Sequence, residues 1–278
     1  MFYLGVDGGG TGCRARLEDA SGRLISQSQS GPANIATDRE AALASIMQAA
    51  QTACAGHCDL GDVVAGLGLA GASLTEPRDW IAARLPFKSA RIAQDVETSL
   101  IGALGESDGI LAAIGTGSVF ASQRGGEIRV IGGWGLRLGD EGSGAWIGRE
   151  LCRRAMGAAE GFVPQTPILT QVLDRIGGPQ AMVAFGGRAA PADFAALAPD
   201  VITGASLGDP AGVAVLDAAV SHVRAAILIL QSEGTVPITF LGGLGSLFAD
   251  QLNEEFKIFA PKGNALDGAM ALAHRGMT

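Results

Sequence analysis

The chain has 278 residues, 42 of them glycine, and a formal net charge of −8 at pH 7. That length suits about two domains with a real core, and glycine at roughly twice the average usage of about 7% points to many tight turns and backbone-lined sites. With an isoelectric point near 4.9 and no basic run, the acidic balance argues against nucleic acid or an anionic membrane as a partner, while a local anion nest stays workable.

Strand signals cover 2–7, 13–19 and 23–29, the second alternating apolar and polar residues at period 2. A helix is expected over 38–55, with Thr37 and Glu40 spaced as a capping box. A strand at 64–70, a helix at 77–85, a strand at 90–94 and a helix at 96–104 complete a first half. Strands at 109–115, 118–123 and 127–132, then a long helix at 142–159, repeat the same order. A helical insertion fills 164–232, followed by a strand at 236–242, a helix at 246–255, a strand at 256–260 and a helix at 265–275. Three strands followed by alternating helices and strands, twice over, argue for two related α/β domains. The junction at 105–109 is too short to be a linker between independent domains.

The N-terminus lacks a basic region followed by an apolar one, so no secretory leader is expected. The longest apolar runs, 63–72 and 225–230, are shorter than a bilayer requires. Four cysteines in a chain of this length do not make a disulfide framework, which makes a cytoplasmic protein with reduced thiols the expectation. Cys54, His57 and Cys58 cluster without the second ligand pair that zinc spacing requires.

The chemistry concentrates in glycine turns that follow strands. Asp7-Gly-Gly-Gly-Thr11 places an acid at a strand end beside a run whose backbone N–H groups can form an anion nest. Asp7 would suit a divalent cation, with Gly9, Gly10 and Thr11 on phosphate; a glycine-rich hairpin turn is the plainer alternative. Gly115-Thr116-Gly117-Ser118 is its counterpart in the second half. Gly242-Gly243-Leu244-Gly245 joins a strand to a helix N-terminus and could receive a nucleotide or serve only as a tight turn. The loop 132–148 sets the aromatic face of Trp134 beside Asp140 and Glu141, a pairing suited to a polyhydroxylated ligand, although Glu141 could equally serve only to favour the start of the following helix. Asp95 closes a strand where open α/β sheets bind ligands, and could take a proton from an attacking hydroxyl or cap the next helix. Asn34 could read a hydroxyl or shape a turn. Gly66 to Gly71 fits the G-x-G-x-x-G pattern, but on the wrong strand of its half for dinucleotide binding, and no Walker A run is present.

Taken together, the Asp7, Gly115, Trp134 and Gly242 loops resemble the actin-like ATPase superfamily of sugar kinases, hexokinases and heat-shock-type ATPases. Within it, Gly133-Trp-Gly-Leu-Arg-Leu-Gly-Asp-Glu-Gly-Ser143 resembles N-acetylglucosamine and glucosamine kinases of the BadF/BadG/BcrA/BcrD ATPase group. The resemblance implies an α/β protein of two ribonuclease H-like domains, 1–107 and 108–278, with a ligand cleft between them and the last helix, 265–275, packing back on the first. It implies an ATP- and Mg²⁺-dependent cytoplasmic kinase acting on the 6-hydroxyl of an amino sugar, with a homodimer as a possible assembly. Asp95 falls on the catalytic base and Asp7 on the metal position. Asn34, Ser118, Gly133, Trp134, Gly135 and Asp140 fall on sugar contacts. Thr11, Thr116, Ala205 and Gly243 fall on nucleotide contacts, together with Gly9, Gly10 and Gly242 of the same turns. Val119 stands where the animal N-acetylglucosamine kinases carry Asn, so free glucosamine or another hexosamine becomes a serious candidate. Two alternatives share the scaffold. An activator of an iron–sulfur dehydratase would need cluster-binding cysteines, and Cys13, Cys54, Cys58 and Cys152 show no such spacing. A sugar-sensing regulator would need a basic DNA-binding segment.

Overall fold

Residues 1–275 are described by a computed structural model. In chain order the elements are β1 (Phe2–Gly8), β2 (Cys13–Asp19), β3 (Leu24–Ser30), α1 (Arg39–Cys54), β4 (Val63–Leu69), α2 (Thr75–Ala82), β5 (Ser89–Gln94), α3 (Asp95–Leu104), β6 (Gly109–Ile114), β7 (Ser118–Arg124), β8 (Glu127–Gly132) and α4 (Gly144–Ala159). The insertion resolves into α5 (Pro167–Ile176), α6 (Pro179–Arg188), α7 (Pro191–Ala195), α8 (Ala198–Ser206) and α9 (Pro210–Gln231). β9 (Ile238–Leu241), α10 (Gly245–Leu252) and α11 (Ala265–His274) follow. One sheet has the order β3-β2-β1-β4-β5 and the other β8-β7-β6-β9. The chain divides into two units, the first comprising Met1–Leu111, Ala121–Arg129 and the chain from Ala260 on, the second Ala112–Phe120 and Val130–Phe259.

In the first unit β1 pairs antiparallel with β2 and parallel with β4. β4, Val-Val-Ala-Gly-Leu-Gly-Leu, is buried at every position, as a central parallel strand covered on both faces requires. α1 covers one face through Ala42, Ile46, Ala49, Ala50 and Ala53. The edge strand β3 meets α1 through hydroxyls: Ser26 donates to the Ala53 carbonyl, Ser28 to that of Ala49 at 2.6 Å and Ser30 to that of Ser45 at 2.7 Å. Two strand residues advance about 6.7 Å and four helix residues about 6 Å, so the two periods run nearly in step.

α11 lies against α3, β1 and β4, entered through a capping box in which Asn264 Oδ1 accepts from Leu266 N and Asp267 Oδ2 accepts from Asn264 N. These elements touch backbone to backbone. A Cβ on Gly268 would fall 1.8 Å from the Thr98 carbonyl oxygen, one on Gly102 1.9 Å from that of Asn264, and one on Gly66 2.2 Å from that of Ala269. The G-x-G-x-x-G pattern therefore serves packing: Gly66 admits α11, Gly68 lies against the Thr98 side chain, and Gly71 turns the chain at φ +88°.

Several expectations are corrected. The capping box at Thr37 gives way to Asp38, whose side chain accepts from Ala41 N at 3.0 Å, because Thr37 N is already held by the Asn34 turn. α2 starts two residues before Pro77, since proline is tolerated in a first helical turn. α4 starts at Gly144 because Gly142, at φ +80°, turns the chain and Ser143 caps it. The strand expected at 256–260 contracts to one parallel bridge, Ile238 with Ile258, after which Pro261 offers no donor. The apolar run 225–230 belongs to the longer α9, whose 22 residues contain an 18-residue stretch of mean hydropathy 1.9, long and apolar enough to cross a membrane by composition. In the fold α9 lies along α8 and α4 and buries Ala211, Val215, Ala219, Val223, Ile227 and Leu230, a one-sided stripe.

Gly268→Ala is expected to cost about 1–3 kcal/mol of stability through overpacking, read as a lowered urea midpoint. Gly186→Ala, within α6 where a Cβ meets nothing within 4 Å, should instead raise it by up to about 1 kcal/mol.

Candidate active site

In the first unit the Asp7 run forms the β1–β2 turn. Gly9 N donates to Gly12 O at 2.9 Å, so the hairpin-turn reading and the nest reading describe one loop. That bond occupies the Gly9 N–H and places Gly10 and Thr11 at the exposed tip, where a Cβ on Gly10 would meet only open space. Asp7 sits opposite Arg14 in the strand register, and the Arg14 guanidinium pairs with its Oδ2. A cavity of about 290 Å³ lies here, lined by Asp7, Gly9, Thr11, Gly12, Arg14 and Ser30 among others. Arg14 was missed in the sequence as a functional group; only the register of the hairpin reveals its pairing with Asp7.

Asn34 follows directly, since Ala33 N donates to Gly9 O at 2.8 Å. Its Oδ1 accepts from Ala36 N at 2.9 Å and Thr37 N at 3.3 Å, so turn chemistry occupies the oxygen and the amide nitrogen remains outside that turn. Asp95 opens α3, with Val96 N donating to its Oδ1 at 2.9 Å; the N-cap itself is Gln94. Burial pushes the Asp95 carboxyl above its ordinary range, the Val96 N–H opposes this, and the charge of Asp7 adds to it. The fold thus brings Asp7 and Asp95 into electrostatic contact within one unit.

In the second unit three glycine segments converge. Gly115 N bonds Gly117 O at 2.9 Å, and the Gly115 and Thr116 carbonyls accept from Gly144 N and Ala145 N, satisfying the first turn of α4. Gly242, at φ +89°, is pressed so close to β6 that a Cβ would lie 2.3 Å from Ile114 O, and Leu244 N donates to that same oxygen at 3.0 Å. Gly243 beside it faces open space. The Trp134 loop folds onto Ser118: Gly133 N donates to Ser118 O at 3.1 Å, and the Ser118 hydroxyl donates to Glu141 O at 3.0 Å. Asp140 is buried, and its Oδ1 accepts from Gly135 N at 3.1 Å. Burial raises its carboxyl, opposed by the N–H groups of Gly135 and Ser118. Trp134 is 73% exposed, an aromatic face standing in solvent. Arg149, also unforeseen, anchors the loop from α4 by donating to Leu136 O at 2.5 Å. Ala205 is placed differently, on α8 against Gly212 of α9, beside a cavity of about 450 Å³ that Thr203, Gly204 and Leu207 help to line.

A model of the BadF/BadG/BcrA/BcrD ATPase family matches residues 4–257. The chain is 31% identical to glucosamine kinase from Vibrio cholerae over 98% of its own length and 95% of that protein's. A solved structure from Chromobacterium violaceum, carrying a provisional N-acetylglucosamine kinase assignment, matches with a TM-score of 0.87 at 33% identity, covering 98% of each chain. A glucokinase of the ROK family from Streptomyces griseus, solved with glucose and AMPPNP, shares the fold at a TM-score of 0.60 and 20% identity, with 99% of this chain and 100% of that one covered.

Because the folded Asp95 carboxyl titrates above its ordinary value of 3.8, its contribution to stability is present below that value and is lost as pH rises through the raised one. Asp95→Asn is therefore expected to melt higher than the parent chain near pH 7, with the difference vanishing as pH falls below about 4, as thermal denaturation across pH would record.

Proposed function

Because the chain belongs to the BadF/BadG/BcrA/BcrD ATPase family, we propose that it is an ATP-dependent amino-sugar kinase that phosphorylates the 6-hydroxyl of glucosamine or N-acetylglucosamine. The observation that carries the mechanism is Asp95, a carboxylate at a strand end whose basicity is raised by burial and by Asp7. Asp95 accepts the proton of the 6-hydroxyl as that oxygen bonds the γ-phosphorus, the bond to the β-phosphate oxygen breaks, and ADP leaves. Gly10, Thr11 and Thr116, at exposed turn tips, donate to phosphate oxygens, and Gly242 and Gly243 leave room for the nucleoside. For Ala205, on α8, a nucleotide contact is proposed from the family resemblance alone. Trp134, Asn34, Ser118, Gly133, Gly135 and Asp140 hold the sugar.

Magnesium fits the donor set, since Mg²⁺ takes one or two carboxylates and completes its shell with water and phosphates. Asp7 offers one carboxylate, and among the described residues no group of three or more His, Cys, Asp or Glu side chains is placed to hold a metal by itself. Bound beside Asp7, the ion would neutralise phosphate charge, with Arg14 steadying the carboxylate through Oδ2.

Val119 supports free glucosamine as the better substrate. Its side chain abuts Gly133, where an added Cβ would lie 3.1 Å from Val119 Cγ2, giving the loop an apolar wall with no amide to offer an acetyl group. The partners proposed are these small molecules, in the cytoplasm. Dehydratase activation is the weaker reading, because Cys13, Cys54 and Cys152 are buried and the four cysteines show no spacing suited to a cluster.

An ADP-release assay across glucosamine, N-acetylglucosamine, N-acetylmannosamine and glucose is expected to give the highest kcat/KM with glucosamine, and ADP release with none of them would overturn the reading. Asp95→Asn should lower turnover by about 10²–10⁴-fold with ATP binding retained; near-normal turnover would remove Asp95 from the role of base. Val119→Asn should shift preference toward N-acetylglucosamine.

A further inference from the structure

Asp140 is alone among the described non-glycine residues in holding a positive φ, +61°. Such backbone is uncommon outside glycine, although Asp and Asn tolerate it better than most residues. Its surroundings say what keeps it there. The Asp140 carboxylate accepts from Gly135 N, in the Trp134 loop, and lies close enough to the Ser118 N–H, where the Gly115–Ser118 turn leaves for β7, for that group to favour its charge. The same carboxylate rests on Gly117, so closely that a Cβ there would lie 2.7 Å from Oδ2. Its carbonyl accepts from Ser143 N at 3.0 Å, leading into the cap of α4. The neighbouring Glu141 carbonyl holds the Ser118 hydroxyl. One buried side chain therefore touches the turn assigned to phosphate and the loop assigned to sugar, and neither can shift without disturbing its bonds.

We infer that Asp140 is a positioning residue that couples the two ligands: nucleotide on the Gly115–Ser118 turn fixes Asp140, Asp140 fixes Gly135 and the Trp134 loop, and each ligand tightens the binding of the other. The inference rests on the kinase reading and adds to it a linkage that a sugar contact alone would not create. Coupling of this kind is reciprocal, so the factor by which nucleotide improves sugar binding equals the factor by which sugar improves nucleotide binding. Gly117 has a matching role, since its missing side chain is what lets the carboxylate sit against the turn.

The test measures glucosamine affinity by titration calorimetry on the full chain, with and without the non-hydrolysable analogue AMPPNP, for the parent, Asp140→Asn and Gly117→Ala. In the parent the analogue should tighten glucosamine binding by about 5–150-fold. Asp140→Asn tolerates the backbone and keeps an oxygen for one N–H but loses the charge, and the coupling factor should fall toward one whatever affinity for glucosamine alone is lost with the sugar contact. Gly117→Ala, a change in the phosphate turn, should likewise weaken the coupling, and it tests the inference independently should Asp140→Asn fail to fold. If Asp140 were a sugar contact only, Asp140→Asn would weaken glucosamine equally with and without AMPPNP and leave the factor intact, which would overturn the inference. A factor of one in the parent would overturn it as well. A parent chain that binds AMPPNP but no amino sugar would overturn the kinase reading, and the inference with it.

Discussion

Close approach of backbone to backbone, open only where no Cβ intervenes, is the constraint on which both units rest. In the first unit α3 and α11 meet through Gly102 and Gly268, and β4 admits α11 at Gly66. In the second, Gly242 is seated on the Ile114 carbonyl and Gly148 of α4 on that of Phe194, where an added Cβ would lie 1.9 Å away. The high glycine content is thus spent on two separate needs. Some glycines remove bulk so that elements can interlock, and others, such as Gly10 and Gly243, face open space where a ligand backbone or base can approach.

The same economy governs the acids. Asp95 and Asp140 are both carboxyls that the fold makes harder to ionise, and neither contributes to stability at neutral pH in the way a paired surface carboxylate does. Asp7 differs, because Arg14 sits across the hairpin to meet its charge. A fold that retains two destabilised carboxyls at turn ends while pairing the third has the arrangement expected where chemistry, not packing, decides the residue.

Much of the architecture was legible because apolar runs and glycine punctuation mark strand ends directly: β1, β2, β4 and β6 to β8 lie within a residue or two of their sequence signals. What sequence obscured depends on competition between neighbours. Thr37 and Asp38 are both acceptable caps, and only the Asn34 turn decides between them. The 256–260 segment has strand composition, but Pro261 ends its pairing after one bridge. In α9 the charges of Asp217 and Arg224 broke up the apolar runs and hid its length. At the site, the turns could be read from glycine and hydroxyl spacing, whereas the Asp7–Arg14 pair, the Arg149 anchor and the conformation of Asp140 arise from register and tertiary contact, which no local window contains.

The serine series on β3 has a consequence for how the edge of its sheet is held. β3 is an edge strand, the kind that offers unpaired backbone groups to any other chain it meets. Its register against α1 is set by hydroxyls at Ser26, Ser28 and Ser30 and not by a row of large apolar side chains. An edge anchored in this way holds its own helix in place through polar contacts, with Leu24 at its start standing exposed. Gln27 and Gln29 alternate with the serines, so a slip of one residue would turn amides toward the helix carbonyls in place of hydroxyls. The ladder thereby fixes the face and register of an edge strand that carries neither the charged nor the proline residues edge strands commonly use.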